Sequence, residues 1–203
     1  TTLFAIIAGF LKPNEGEITL NNNSICGLKP HKICKMGMVR TFQITQPFAG
    51  LNTLENIMVG AYANTSDQHI ARETAERVAE MVGMTSQLYK PADGLTVAAR
   101  KRLELARALA TNPELLLLDE VMAGLNPTEI DEVVHVIKEI RNSGVTIFLI
   151  EHVMKVVIKL SDRTYVLNDG QLIAKGTPNS VASDPGVIEA YLGHGAAKTM
   201  TGG

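Results

Sequence analysis

Residues Thr1 to Ala8, all but the first two of them apolar, stop at Gly9, a pattern that predicts a short helix, apolar nearly all round and therefore buried. Pro13-Asn14-Glu15-Gly16 then marks a turn, and Glu17-Ile18-Thr19-Leu20 alternates like a strand. From Asn52 to about Lys90 the period becomes helical. Asn52-Thr53-Leu54-Glu55 has the spacing of a capping box, and Ile70, Ala71, Ala75, Val78 and Val82 trace an apolar stripe opposite Arg72, Glu73, Glu76, Arg77 and Glu80. A further helix is predicted from about Ala98 to Ala110, with Leu103, Ala106 and Leu109 on one face, so this central part reads as a helical subdomain.

After Pro113 the pattern turns to strand, helix, strand. Leu115-Leu116-Leu117-Leu118 is continuously apolar, as in a parallel strand buried on both faces. Pro127 stands where a helix starts, Ile130, Val133, Val134, Ile137 and Ile140 form its stripe, and Gly144 ends it. Val145 to Ile150 predicts a second buried strand, parallel to the first across a right-handed crossover. Tyr165-Val166-Leu167, Asn168-Asp169-Gly170 and Gln171-Leu172-Ile173-Ala174 make a hairpin around an Asp-Gly turn. The stretch 194–203 is small and polar and predicts a flexible tail. The fold class is α/β with a mostly parallel sheet.

Composition narrows the function classes. The chain has 203 residues, 45% hydrophobic and 20% charged, with 19 basic against 21 acidic side chains and a net charge of −2. That suits one compact domain, and the balance argues against electrostatic nucleic-acid binding. No apolar run approaches the roughly 18 residues of a membrane span, and no basic-then-apolar leader is read at the start. Cys26 and Cys34 form no disulfide framework and lack zinc-ligand spacing.

Candidate chemistry collects where the predicted strands end. Asp119-Glu120 follow the leucine run directly, at the edge of a parallel sheet where ligands sit. A carboxylate there needs a cation or hydrogen bonds. The pattern is a Walker B, with Asp119 on Mg2+ and Glu120 polarising a water; the other reading is that both cap the Pro127 helix or pair with surface lysines. Glu151-His152 follow the second strand, though a lone histidine is more often structural, and Gln43 in Arg40-Thr41-Phe42-Gln43 is weak by itself.

The order of these motifs, with Leu95-Thr96 before an Arg-rich helix and Ala123-Gly124-Leu125-Asn126 after the carboxylates, resembles the ATP-binding subunits of ABC transporters over 1–193. Arg40-Thr41-Phe42-Gln43, Leu149-Ile150-Glu151-His152 and Asp184-Pro185 before Val187 to Gly193 are similar to the subfamily serving branched-chain amino acid importers. The resemblance implies a P-loop NTPase-like sheet with helices on both faces, a single ATPase domain over 1–193, and a helical signature subdomain at about 52–112. It implies ATP and Mg2+ as ligands. Gln43 would reach Mg2+ or the lytic water, Glu120 would serve as general base, and His152 would contact the γ-phosphate. Ala123 to Asn126 would cross to a second, identical or paralogous ATPase subunit, whose site the N-terminus of the signature helix completes. Residues 44–62 would receive a helix of the membrane permease, although a core role for Phe48 and Leu51 fits equally well. A solute-binding protein would act indirectly, no nucleic acid is implied, and the place of work is the cytoplasmic face of the inner membrane.

Two departures stand out. Thr1 aligns with the final hydroxyl residue of the phosphate loop, a magnesium ligand, and Thr2 with the residue after it; the glycines and lysine of G-x-x-x-x-G-K-[ST] do not occur. This predicts poor ATP binding by the chain alone, through either a missing N-terminal segment or a genuine loss of the site. The signature Leu-Ser-Gly-Gly-Gln falls on Leu95-Thr96-Val97-Ala98-Ala99, where the Ala98 methyl would hinder approach to the partner's γ-phosphate. A non-catalytic dimerisation or regulatory partner is the alternative function. The basic run Arg100-Lys101-Arg102 reads as a solvated helix face.

Overall fold

The structure, a computed structural model, describes residues 1–41 and 46–192. The expectations for Phe42, Gln43, Ile44 and the 194–203 tail lie outside the described residues. The chain divides into two compact units, Thr1–Ile150 and Glu151–Gly203.

In the first unit, α1 (Thr2–Ile7) is followed by a short antiparallel pair, β1 (Thr19–Leu20) and β2 (Asn23–Ser24), and by α2 (Pro30–Lys35) and β3 (Met38–Arg40). Next come α3 (Thr53–Ala61), α4 (Gln68–Met81) and α5 (Val97–Leu109), then β4 (Leu115–Asp119), α6 (Pro127–Asn142) and β5 (Thr146–Ile150). Strands β3, β4 and β5 form a parallel sheet in that order, with Arg40 opposite Leu117 and Asp119 opposite Ile150. Leu117 faces a cluster of Phe4, Ile33 and Met38 beneath α1 and α2. Leu116 and Leu118 point the other way and are also buried, so β4 is covered on both faces, as its unbroken leucines predict.

The helices start where the sequence says. Asn52 caps α3 in a reciprocal box with Glu55, and Asn126 caps α6 with Glu129, with Pro127 in its first turn. On α4, Ala71, Ala75 and Val78 are buried, and Val82 beyond its end continues the stripe. Ile70, which lies off the four-three spacing of those residues, is half exposed. Asn56, fully buried on α3, shapes the chain before that helix. Its Oδ1 accepts from the Phe48 N–H at 2.8 Å, and its Nδ2 donates to the carbonyls of Asn52, Leu51 and Phe48 at 3.0, 3.3 and 3.4 Å.

Three expectations are corrected. The strand read over Glu17–Leu20 shrinks to Thr19–Leu20. The first helix buries Phe4 on one side and leaves Leu3 exposed, because only the cluster over β4 covers it. Strand β5 pairs with β4 alone among the described residues, and its Phe148 is 38% exposed while meeting Phe4 edge-on at 5.0 Å. An apolar run reports that a strand favours cover; it does not report whether a neighbour supplies it.

The second unit holds α7 (Met154–Leu160), the antiparallel hairpin β6 (Thr164–Asn168) and β7 (Gln171–Gly176), then α8 (Pro178–Ala182) and α9 (Pro185–Leu192). Asp169 and Gly170 both have positive φ, 48° and 80°, which is the primed turn that an Asp-Gly hairpin requires. Thr177 caps α8 by accepting from the Ser180 N–H.

Both cysteines are free. Cys26 is exposed, whereas Cys34 is partly buried, and burial raises its thiol pKa against a smaller opposing effect of a Thr111 hydrogen bond. A raised pKa means less thiolate at a given pH and burial limits access, so Cys34 is expected to react with iodoacetamide at pH 8 more slowly than the exposed Cys26. Peptide mapping of the alkylated protein reads the ratio; equal rates contradict the assignment.

Candidate functional site

Strand β4 delivers Asp119 to the C-terminal edge of the sheet, where the carboxylate is fully buried. Its two oxygens are divided. Arg40 Nη2 donates to Oδ2 at 2.7 Å, and the Thr1 hydroxyl donates to Oδ1 at 3.4 Å. Register explains the first contact. Arg40 pairs with Leu117, paired residues project to one face, and Asp119 lies two positions further along that face. Thr41 then fastens to β4, donating from its N–H and its hydroxyl to the Leu117 carbonyl at 2.9 and 3.3 Å.

Glu120 follows with a positive φ of 49°, a left-handed conformation that costs a non-glycine residue about 1 kcal/mol or more. Its N–H donates to the Ile150 carbonyl at 2.9 Å, and its own carbonyl accepts from Ala123 at 3.1 Å, so the chain turns sharply off the strand end. The cap of α6 is made by Asn126 and Glu129 rather than by Asp119 or Glu120, and Asp119 is held by Arg40 and Thr1 rather than by a surface lysine.

The signature residues gather at the start of α5. Thr96 is its N-cap, accepting from the Ala99 N–H at 3.3 Å. Leu95, Ala98 and Ala99 are buried, so the Ala98 methyl is turned into the protein and the exposed tip is Val97, 55% accessible. A Cβ added to Gly124 would stand 4.0 Å from Val97 Cγ1, which brings the 123–126 loop beside that tip. The basic run is not a solvated face: Lys101 is buried, Arg100 donates to the Asp93 carbonyl, and Arg102 pairs with Glu132 on α6. On the same helix, Arg107 donates to the Gln46 carbonyl at 3.1 Å and lies over the Phe48 ring at 4.5 Å; burial lowers its pKa, partly offset by Glu104.

Thr1, Asp119 and Glu120 are thus brought together, while Leu95 to Ala98 and Asn126 cluster around α5 and the loop. Thr2, also exposed, opens α1. Gln43 is not among the described residues. His152 belongs to the second unit, where it is exposed and its carbonyl accepts the Tyr191 hydroxyl; burial, and then the Glu151 charge, raise the Tyr191 pKa. The sequence reading overlooked Arg40 and Arg107. A lone charge closing the apolar strand Met38-Val39-Arg40 is the signal that calls for a buried counter-charge.

Among the described residues no group of three or more His, Cys, Asp and Glu could hold a metal ion. The Thr1 hydroxyl and Asp119 Oδ1 are hard oxygen donors on one side of the carboxylate, which fits Mg2+ in donor type, since that ion takes one or two protein oxygens and keeps several waters. No described helix is long and apolar enough to cross a membrane.

A parallel sheet ending in this buried carboxylate, with a sharp turn off the strand end, is the kind of edge at which α/β domains of the nucleotide-hydrolase type hold their ligands. Residues 1–123 match the family model described as ABC transporter, and 171–197 match one described as Branched-chain amino acid ATP-binding cassette transporter. The chain belongs to the ABC transporter ATP-binding family, and is by that membership an ABC-type ATPase subunit. It is 40% identical to the high-affinity branched-chain amino acid transport ATP-binding protein LivG of Escherichia coli (strain K12), over 95% of this chain and 82% of that protein. It is 38% identical to BraF of Pseudomonas aeruginosa, of the same description, with the same shares covered. Among solved structures, the ADP conformation of MJ1267, an ATP-binding cassette of an ABC transporter, superposes with a TM-score of 0.84 at 31% identity, covering 95% of this chain and 83% of that one.

Proposed function

We propose that this chain is the ATP-binding and ATP-hydrolysing subunit of an ABC importer for branched-chain amino acids. The observation that carries the reading is the buried Asp119 at the end of β4, with the Thr1 hydroxyl on one oxygen and Glu120 directly after it. The solute class rests on the LivG and BraF likenesses and on the match at 171–197.

In this reading Thr1, Asp119 and Gln43 hold the cation of Mg·ATP. When bound there, Mg2+ would supply charge neutralisation at the phosphates. The Glu120 carboxylate orients the attacking water and accepts its proton, and the His152 imidazole donates to a γ-phosphate oxygen. Thr2 stands against the phosphates. Leu95, Thr96, Val97 and Ala98 present the start of α5 to the nucleotide of a second ATPase subunit, and Asn126 lies in the loop that crosses to it. Residues 1–193 work as one domain, with the part at about 52–112 as the signature subdomain. The permease subunits dock near Phe48 at the cytoplasmic face of the membrane, and a solute-binding protein delivers cargo to them. These 203 residues hold no glycine-rich loop with its lysine, so by themselves they bind ATP weakly.

The test is Mg2+-dependent phosphate release from ATP by the protein as the cell makes it, wild type against Glu120→Gln. The variant is expected to keep Mg·ATP binding and lose about a hundredfold in rate. Equal rates, or no Mg2+-dependent release, overturn the proposal and favour the non-catalytic partner that Ala98 and Ala99 in the signature suggest.

A further inference from the structure

The Asp119 carboxylate already has a full counter-charge. Arg40 is nearly as buried as its partner, holds Oδ2 at 2.7 Å, and lies 6.0 Å from the Phe10 ring centroid, so water screens this pair little. Nothing about Walker-type chemistry requires a fixed cation at that oxygen. We infer that Arg40 determines the specificity of the cation site: it keeps a bare divalent ion away from Asp119 and admits one only with the negative charge of a polyphosphate. The inference rests on reading Asp119 as the magnesium carboxylate.

Two effects of the guanidinium oppose each other. It fixes the carboxylate so that Oδ1 faces the Thr1 hydroxyl, which favours a cation there. It also repels any second positive charge, and that repulsion acts on a doubly charged ion a few ångströms away in poorly screened surroundings. One positive charge beside a carboxylate lowers its affinity for another cation by about tenfold or more. Fixing one short side chain, with two rotatable bonds, has a smaller effect. Repulsion wins. The phosphates of a nucleotide reverse the balance, because their charges outnumber that of the arginine.

The probe is Mn2+ without nucleotide, titrated into the full chain and read by the loss of its free electron paramagnetic resonance signal. Arg40→Gln is expected to bind Mn2+ at least about tenfold more tightly than wild type. Its melting temperature rises with Mn2+, since the ion replaces the missing charge, whereas that of wild type does not move. Arg40→Lys keeps the charge and stays within about threefold of wild type, and Arg40→Gln combined with Asp119→Asn loses the gain. Equal affinity of Arg40→Gln and wild type overturns the inference. So does an Arg40→Lys protein that binds as tightly as Arg40→Gln is expected to, or an Arg40→Gln protein that stays unfolded in saturating Mn2+. No nucleotide enters the measurement, so an absent ATPase activity overturns the functional reading and leaves this result standing.

Discussion

Replacing Asp119 by alanine is expected to destabilise the protein by about 3–5 kcal/mol. The carboxylate is fully buried and the arginine almost so, with 2.7 Å between Oδ2 and Nη2. Truncation removes the carboxylate that faces the guanidinium, while the cation stays largely buried. Removing both charges is a different experiment. Arg40→Met with Asp119→Leu leaves apolar groups of similar volume in the same space, and most of the lost stability is expected to return. Urea unfolding of the two single variants and the double variant reads the coupling. If the double variant is as unstable as the sum of the singles, the ion pair is not the unit assigned here.

Gly60→Ala carries the second large expectation, and its sign is a contest. Gly60 lies inside α3, where alanine is favoured over glycine by about 1 kcal/mol. A Cβ there would fall 2.1 Å from the Arg107 carbonyl oxygen on α5 and 3.1 Å from Ala110 Cβ. The first neighbour is backbone and cannot swing aside, so the two helices would have to separate. Overpacking of this kind costs about 3 kcal/mol, more than the helical preference returns. The net loss of about 2 kcal/mol corresponds to a melting temperature lower by about 4–8 °C for a chain of this size. A variant as stable as wild type would mean that α3 and α5 do not approach this closely.

Much of the fold is legible wherever local chemistry alone decides. Four leucines make β4, Asn126-Pro127 starts α6, Asn52 with Glu55 starts α3, and Asp169-Gly170 turns the hairpin. Each signal is complete within a few residues. The misreadings share a cause of the opposite kind. Burial of α1 and β5 depends on what other elements cover, and Leu3 and Phe148 look as apolar as Phe4 on paper. The basic run looks solvated until Glu132 arrives from 30 positions away. Arg40 and Asp119 are separated by 79 positions, so the pair emerges only when the register of β3 on β4 is known. Of the candidate site, the placing of Asp119 at a strand end could be read from the leucine run before it, because a strand end is local, whereas the signature is placed only by the family resemblance. Arg40, which holds that carboxylate, could not be read in this way, because a counter-charge can come from anywhere in the chain.

The Asn56 amide has a further consequence. It holds the amide and carbonyl of Phe48 and the carbonyl of Leu51 from inside the protein, whereas the Phe48 ring is exposed. Contour and contact chemistry are therefore set by different residues at this corner. Exchanging the side chain at 48 changes what a neighbouring protein would touch and the ring offered to Arg107, while the Asn56 amide still holds the backbone of Phe48 and Leu51 in place.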